Sequence, residues 1–188
     1  MVFIGFVITT LCIQIFMLQP TLLQTSVTLR PLVLTDFEDL FRIASDELLW
    51  EQHPAKERSQ HSGFEVFFDK ALQSAGALSI IDNQHQQIIG TSRYYEWKEN
   101  ESVAIGYTFI ARQYWGTPYN RIVKNLMIQH AFTFVPNIFF YVDSENFRSQ
   151  KAVEKLGAVL LGYQDTVYSN LPTRKSCIYQ LTPTNWQV

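Results

Sequence analysis

The chain predicts an α+β domain: a mixed, mostly antiparallel β-sheet flanked by helices, in the order β-α-α-β-β-β-α-β-α-β-β. Three observations carry this. Ser102–Ile110 alternates at the two-residue period of a strand, which places Val103, Ile105, Tyr107 and Phe109 on one face. Phe64, Phe67, Phe68, Ala71, Leu72 and Ala75 recur at helical spacing. Ile138–Val142 is a short apolar run of the kind that forms a buried strand.

The totals bound the function. At 188 residues the chain is most simply one domain with a real core. An apolar content of 47% and a mean hydropathy of −0.04 are those of a globular protein. Fifteen Lys and Arg against 17 Asp and Glu give a net charge of −2, which argues against a nucleic-acid binder working through bulk charge. Two cysteines, Cys12 and Cys177, make neither a disulfide framework nor a metal cluster. His53, His61, His85 and His130 lack metal-ligand spacing, so no metal is expected.

In chain order, Met1–Leu18 is apolar and uncharged, and the first Lys or Arg is Arg30. It lacks the basic start of a signal peptide, and Thr9, Thr10 and Gln14 interrupt it as a membrane span. Three readings stand: an over-extended start with Met17 opening a cytoplasmic protein, a membrane anchor or signal, or a terminal element packed on the domain. Residues 1–26 are therefore set apart as an extension, and 27–188 as the domain. Val27–Leu34 reads as a strand with Pro31 at an edge or bulge. Thr35 or Asp36 caps a helix through Phe37, Leu40, Phe41 and Ala44. Asp46–His53 is a short second piece closed by Pro54, and Ala55–Ser62 a loop. Gly76 stops the Phe64–Ala75 helix.

Ala77–Asp82 and Gln87–Trp97 form a hairpin across Asn83, Gln84 and His85. Alternation puts Ile88, Gly90, Ser92, Tyr94 and Glu96 on one face of the second strand, and Ile89, Thr91, Arg93, Tyr95 and Trp97 on the other. After Ser102–Ile110 comes the turn Trp115-Gly116-Thr117-Pro118, then a helix to about Phe134 with an apolar stripe of Tyr119, Ile122, Val123, Leu126, Met127, Ala131 and Phe134. Asn146 opens a short helix that Gly157 ends. Val159–Val167 and Lys175–Leu181 pair across the Ser169–Thr173 loop.

A helix that opens directly after a strand presents unpaired N–H groups and a positive dipole end, a site for a phosphate or pyrophosphate. Here the candidate donors are the backbone N–H groups of Gly116, Thr117, Tyr119 and Asn120. Gln113-Tyr114-Trp115-Gly116 resembles the start of Q/R-x-x-G-x-G/A, the pyrophosphate loop of the GNAT N-acetyltransferases. Asn146–Gly157 resembles the N-x-x-S-x-x-x-x-E-K-L-G segment of the RimJ/RimL-like branch of that superfamily. The resemblance covers roughly Val27 to Leu181 and predicts the same element order.

The resemblance implies an acetyl-CoA-dependent N-acetyltransferase acting on a primary amine, either a protein N-terminus or a small molecule, by direct attack. Such a protein acts as a monomer or homodimer, without nucleic acid and with no membrane unless residues 1–18 are a real anchor. The cofactor-binding set is then Phe109, Ile110, Ala111, Gln113, Tyr114, Trp115, Gly116, Thr117, Pro118, Tyr119, Asn120, Asn146 and Ser149. Pro118 stands where the family has Gly or Ala, so one donor is absent. Arg112, Arg121, Lys124 and Lys151 either add charge near the nucleotide or are solvated surface cations. A backbone N–H near Phe109 would face the thioester carbonyl.

Val153 occupies the place of the family's acidic Tyr, which leaves the Ser149 hydroxyl for the leaving thiolate or for helix capping. Asn146 likewise holds pantetheine or caps. Ser149 and Asn146 are thus the catalytic candidates. Ala104 replaces a frequent carboxylate, and Glu96, Glu99 and Glu101 lie nearby in sequence. For the acceptor, Trp50, Tyr94 and Tyr95 offer flat walls beside Arg93, with Glu51 and Glu96 to attract a cationic amine. Two alternatives remain: a catalytically weak acyl-CoA-binding or partner-binding module on the same fold, and a membrane-tethered protein in which residues 1–18 matter most.

Overall fold

A computed structural model describes residues 18–167 and 172–187. Eight strands form one sheet: β1 (Leu22–Leu23), β2 (Val27–Pro31), β3 (Ala77–Asp82), β4 (Gln87–Lys98), β5 (Ser102–Ile110), β6 (Asn137–Asp143), β7 (Val159–Thr166) and β8 (Arg174–Leu181). Their spatial order is β1-β2-β3-β4-β5-β6-β8-β7. Neighbours are antiparallel except β5 and β6, which are parallel. Four α-helices flank it among the described residues: α1 (Phe37–Ala44), α2 (His61–Gln73), α3 (Tyr119–Ala131) and α4 (Phe147–Glu154). The predicted order is present, with β1 added four residues ahead of the expected boundary at Val27. Met17 and the segment before it lie outside the described residues, as does most of the β7–β8 loop.

The two sheet faces carry two cores. Under α3 and α4 lie Val27, Leu29, Leu78, Ile80, Ile105, Val123, Met127, Ile138 and Phe140. Under α1 and α2 lie Leu40, Trp50, Phe64, Phe67, Phe68 and Phe109. Each such side chain, fully buried, stabilises the fold by about 1.5–3 kcal/mol.

Several local expectations change. Asp36 does not cap α1: its carboxylate accepts from Arg30 Nη1 and Nη2, both at 2.7 Å, from Ser79 Oγ at 2.6 Å and from the Val33 amide at 3.1 Å. It ties β2 and β3 to the helix start. After α2 it is Ala75, not Gly76, that takes a positive φ of 49°. Gly76 is required for a close approach, since a Cβ there would sit 2.2 Å from Tyr94 O. Helix α3 ends at Ala131, short of Phe134.

The strand faces predicted by strict alternation are broken by bulges. In the β4–β5 pair, Thr91 faces Phe109 but Arg93 faces Gly106, so β5 carries an extra residue, and Tyr107 has φ 51°. Val103 and Ile105 point to the α3 core, while Phe109 joins the α2 core. A second bulge, where Ile80 pairs with Gly90 and Ile81 with Ile88, turns Ile89 to the same face as Tyr94.

One buried anion fixes the turn that precedes α3. Asp82, fully buried at the end of β3, accepts from Tyr114 Oη and Tyr119 Oη at 2.9 Å each, from the Gln84 amide at 3.0 Å, and pairs with His85 Nδ1 at 2.6 Å. Burial opposes its ionisation, but these hydrogen bonds outweigh burial and pull its pKa down to about 2. A depressed carboxylate contributes stability that is complete above its unfolded-state pKa and lost as pH falls through its folded pKa. Asp82→Asn is therefore expected to cost about 2 kcal/mol near neutral pH. Urea denaturation from pH 6 down to 2 checks this, because the variant's stability should fall less steeply with acid than the parent's.

Candidate functional site

Strands β5 and β6 pair only where Ser102–Ala104 meets Asn137–Phe139. Beyond that they part, because the bulge at Tyr107 turns β5 away. The parting opens a cavity of about 310 Å³. One wall is Ile105–Ile110 of β5 and the other Phe140–Asp143 of β6. Tyr114–Thr117 and Asn120 stand at one end, and Asn146, Ser149 and Val153 of α4 line the opposite side.

The turn at the open end is held from below. Tyr114 and Tyr119 reach away from the cavity to Asp82, and their rings stack edge-on at 4.7 Å. Gly116 has φ +76° and a Cβ there would meet nothing within 4 Å, so the backbone lies open at the cavity mouth. Of the four amides expected to form the cradle, Thr117 N–H is taken by Tyr114 O at 3.3 Å and Tyr119 N–H lies 3.5 Å from Thr117 Oγ1. Gly116 and Asn120 are left as the stronger candidates. Pro118 and Tyr119 are not in the lining, and neither is Gln113. Ala111 is also outside it, with its amide donating to Ile89 O at 2.8 Å.

At the start of α4, Asn146 Oδ1 accepts from the Ser149 amide at 3.1 Å. Asn146 is thus the cap, and the Ser149 hydroxyl is not used for capping. Arg148, next to it, lays its guanidinium 3.9 Å from the centre of the Trp115 ring. It also donates from Nη2 to Leu49 O, and its amide donates to Gln52 Oε1, both at 3.1 Å. These contacts tie α4 to the 47–53 segment and to the turn, across the cavity.

The acceptor side differs from expectation. Trp50 lines the cavity, but Glu51, Arg93, Tyr94 and Tyr95 do not. Tyr94 is fully buried on the α3 face and donates to Met127 O at 2.7 Å. Tyr95 packs edge-on against Tyr107 at 5.0 Å. Arg93 is sandwiched between Tyr107 and Phe67, 4.3 and 5.7 Å from the ring centres. Glu96 is also absent from the lining, so neither glutamate expected to attract a cationic amine faces the cavity.

The cavity is instead lined by cations. Arg58 sits 4.7 Å from the Phe67 ring centre, and Arg148 faces it from α4. The one lining carboxylate, Asp143, is engaged by Arg174 through Nε at 2.7 Å and Nη2 at 3.0 Å. Burial raises the Asp143 pKa, but the Arg174 hydrogen bonds win and hold it below the usual carboxylate range. His53 is pushed down to about 3 by burial and by the charge of Arg58. The surprise is Lys124, which is not a solvated surface cation. It is buried at the cavity floor, where Nζ donates to Thr108 Oγ1 at 2.5 Å and lies 3.4 Å from Ser92 Oγ. Burial pushes its pKa down to about 7. Arg112 is likewise spent, on an ion pair with Asp46. Among the described residues no group of three or more His, Cys, Asp or Glu could hold a metal, and no helix is long and apolar enough to cross a membrane.

Residues 26–159 match the family model described as an acetyltransferase (GNAT) domain. Among curated proteins nothing matches. Solved structures share the fold. A GCN5-related N-acetyltransferase from Brucella melitensis is 19% identical over 89% of this chain and 80% of its own, with a TM-score of 0.77. The microcin C7 self-immunity acetyltransferase MccE, solved with acetyl-CoA and AMP, is 16% identical over 88% of this chain and 98% of its own, with a TM-score of 0.72. Mycobacterium smegmatis RimJ, solved with CoA-disulfide, is 18% identical over 84% of this chain and 82% of its own, with a TM-score of 0.64. With a parted parallel strand pair, an open turn at the start of α3 and a family model spanning most of its length, the chain belongs to the GNAT acetyltransferases.

Proposed function

We propose that the protein is an N-acetyltransferase of the RimJ/RimL-like branch that moves an acetyl group from acetyl-CoA to a primary amine by direct attack. The observation that carries this is the gap between β5 and β6, whose lining includes both the open turn at Gly116 and Ser149 of α4. A linear thioester cofactor needs such a slot: a diphosphate cradle at one end, strand edge along its length and the reacting carbonyl at the other. Gly116 and Asn120 amides would hold the diphosphate, aided by the α3 dipole. Asn146, with Oδ1 used as the cap, has its amide nitrogen left for pantetheine. Ser149 would donate to the thiolate as the C–S bond breaks. The acceptor enters as the neutral amine, the form with a lone pair to attack a carbonyl.

The second reading, a weak acyl-CoA-binding module, is favoured by Ala104 and Val153, which remove two acid–base groups common in relatives. The two readings differ in turnover. Calorimetry should detect acetyl-CoA binding, and free thiol should appear when acetyl-CoA meets a panel of peptide and small-molecule amines. Binding without thiol release on any amine selects the module; no binding at all defeats both.

Two variants sharpen the reading. Gly116→Ala should destabilise the fold by only about 1–2 kcal/mol, the cost of a left-handed Ala. Its acetyl-CoA affinity should fall further than that, because the new methyl enters the cradle. Ser149→Ala should retain acetyl-CoA affinity while kcat drops about 100-fold; an unchanged kcat would move thiolate protonation to another group.

A further inference from the structure

A lysine amine inside a cavity with no carboxylate beside it calls for a reason. Burying an ammonium ion without a counter-charge is costly, and an isosteric apolar side chain would fill the same space without that cost. The groups packed against Lys124 come from three strands. Ser92 of β4 and Thr108 of β5 offer hydroxyls, and the Phe140 ring of β6 lies 6.0 Å away. No charge among the described residues contributes to its lowered pKa; burial alone does. The two hydroxyls also touch each other, Ser92 Oγ to Thr108 Oγ1 at 2.7 Å. A hydroxyl both gives and accepts, so Thr108 can pass a proton to a neutral amine in a way that a carbonyl cannot.

Thr108 lies in the stretch of β5 that no longer pairs with β6, one residue beyond the bulge, and lines the cavity together with Lys124. We propose that Lys124 is the proton acceptor of the transfer, working through the Thr108 hydroxyl, and that it stands in for the carboxylate lost at Ala104. This rests on the acetyltransferase reading above. The neutral acceptor amine attacks the thioester carbonyl, forming the C–N bond and placing the carbonyl electron pair on oxygen. The attacking nitrogen then gives a proton to Thr108 Oγ1 as the Thr108 hydrogen passes to Lys124 Nζ. Collapse breaks the C–S bond and leaves its pair on sulfur. Ser149 gives its hydroxyl hydrogen to that thiolate and regains one from solvent, while Lys124 releases its proton to solvent, giving amide and free CoA with every atom and charge balanced.

Other side chains in the cavity fit this role poorly. His53 has a pKa of about 3, and its Nδ1 accepts from the Ala55 amide at 3.0 Å. Asp143 is held below the carboxylate range by Arg174. The phenol of Tyr141 is pushed up by burial. Lys124, at about 7, is matched to neutral pH, where a general base works best.

The test compares pH profiles of kcat for the parent, Lys124→Met and Thr108→Val, with acetyl-CoA and a panel amine that the parent acetylates. Acetyl-CoA affinity is measured separately by calorimetry. The parent's kcat should climb as pH passes through about 7, since Lys124 accepts a proton only above its pKa. Both variants should lose that limb and about 100-fold or more in kcat, while keeping acetyl-CoA affinity. Ionisation of the acceptor itself is common to all three proteins and cancels. Thr108→Val leaves the lysine in place, so it decides the matter if Lys124→Met fails to fold. A limb that survives in the variants, or one that falls with pH, overturns the role of Lys124 alone. Binding of acetyl-CoA without turnover of any amine by the parent overturns it too, and a parent that does not bind acetyl-CoA defeats the acetyltransferase reading beneath it.

Discussion

The parting of β5 from β6 is the constraint on which the rest of this molecule depends. Parallel strands share slanted, evenly spaced hydrogen bonds, and here the ladder is abandoned after three residue pairs. The cause lies on the far side of β5, in its antiparallel pairing with β4. The extra residue at Gly106–Tyr107 bends β5 and reverses which side chains face which core. Phe109 is thereby sent to the aromatic core of Trp50, Phe64 and Phe67, and Thr108 to the face of α3. One inserted residue therefore opens the cavity and also decides what lines it.

The cavity mouth needs a rigid support, because an open turn has few contacts of its own. Asp82 supplies it from the neighbouring hairpin, as both tyrosines flanking Gly116 converge on one buried carboxylate. On the opposite side, Arg148 stacks on Trp115 and reaches the backbone of the 47–53 segment. The turn is thus pinned from two elements distant in sequence, while Gly116 is left uncovered. Charge is arranged from the same elements: Asp143 is taken up by Arg174, and Arg58, Arg148 and Lys124 also line the slot.

How far the chain could be read from its residues differs by element. The helices α2 and α3 and the pairing of β7 with β8 follow from local periodicity, and the family follows from two short motifs. Asn146 as the helix cap was legible because only its own turn is involved. The side-chain faces of β4 and β5 were not, because alternation holds only until a bulge, and a bulge is set by the partner strand. Tyr94 and Arg93 looked like pocket walls in the strand pattern, but each is shut away by a neighbour from another element, Met127 O for the first and the Phe67 and Tyr107 rings for the second. Lys124 carried a faint signal, a cation one residue after Val123 on the apolar stripe of α3. Whether it faced water or the core depended on the space between three strands.

The order of elements and the two motifs that mark the family were therefore set by the amino-acid sequence, since periodicity and a short motif are each contained within a few residues of chain. The tertiary structure alone decided the cavity's chemistry: which amides of the turn stay open, which aromatics wall the slot, and that Lys124 is buried against it while Asp143 is taken up by Arg174. The reason is that burial and charge neutralisation are properties of the space between elements, and that space exists only once the bulged strands, the Asp82 anchor and α3 have come together.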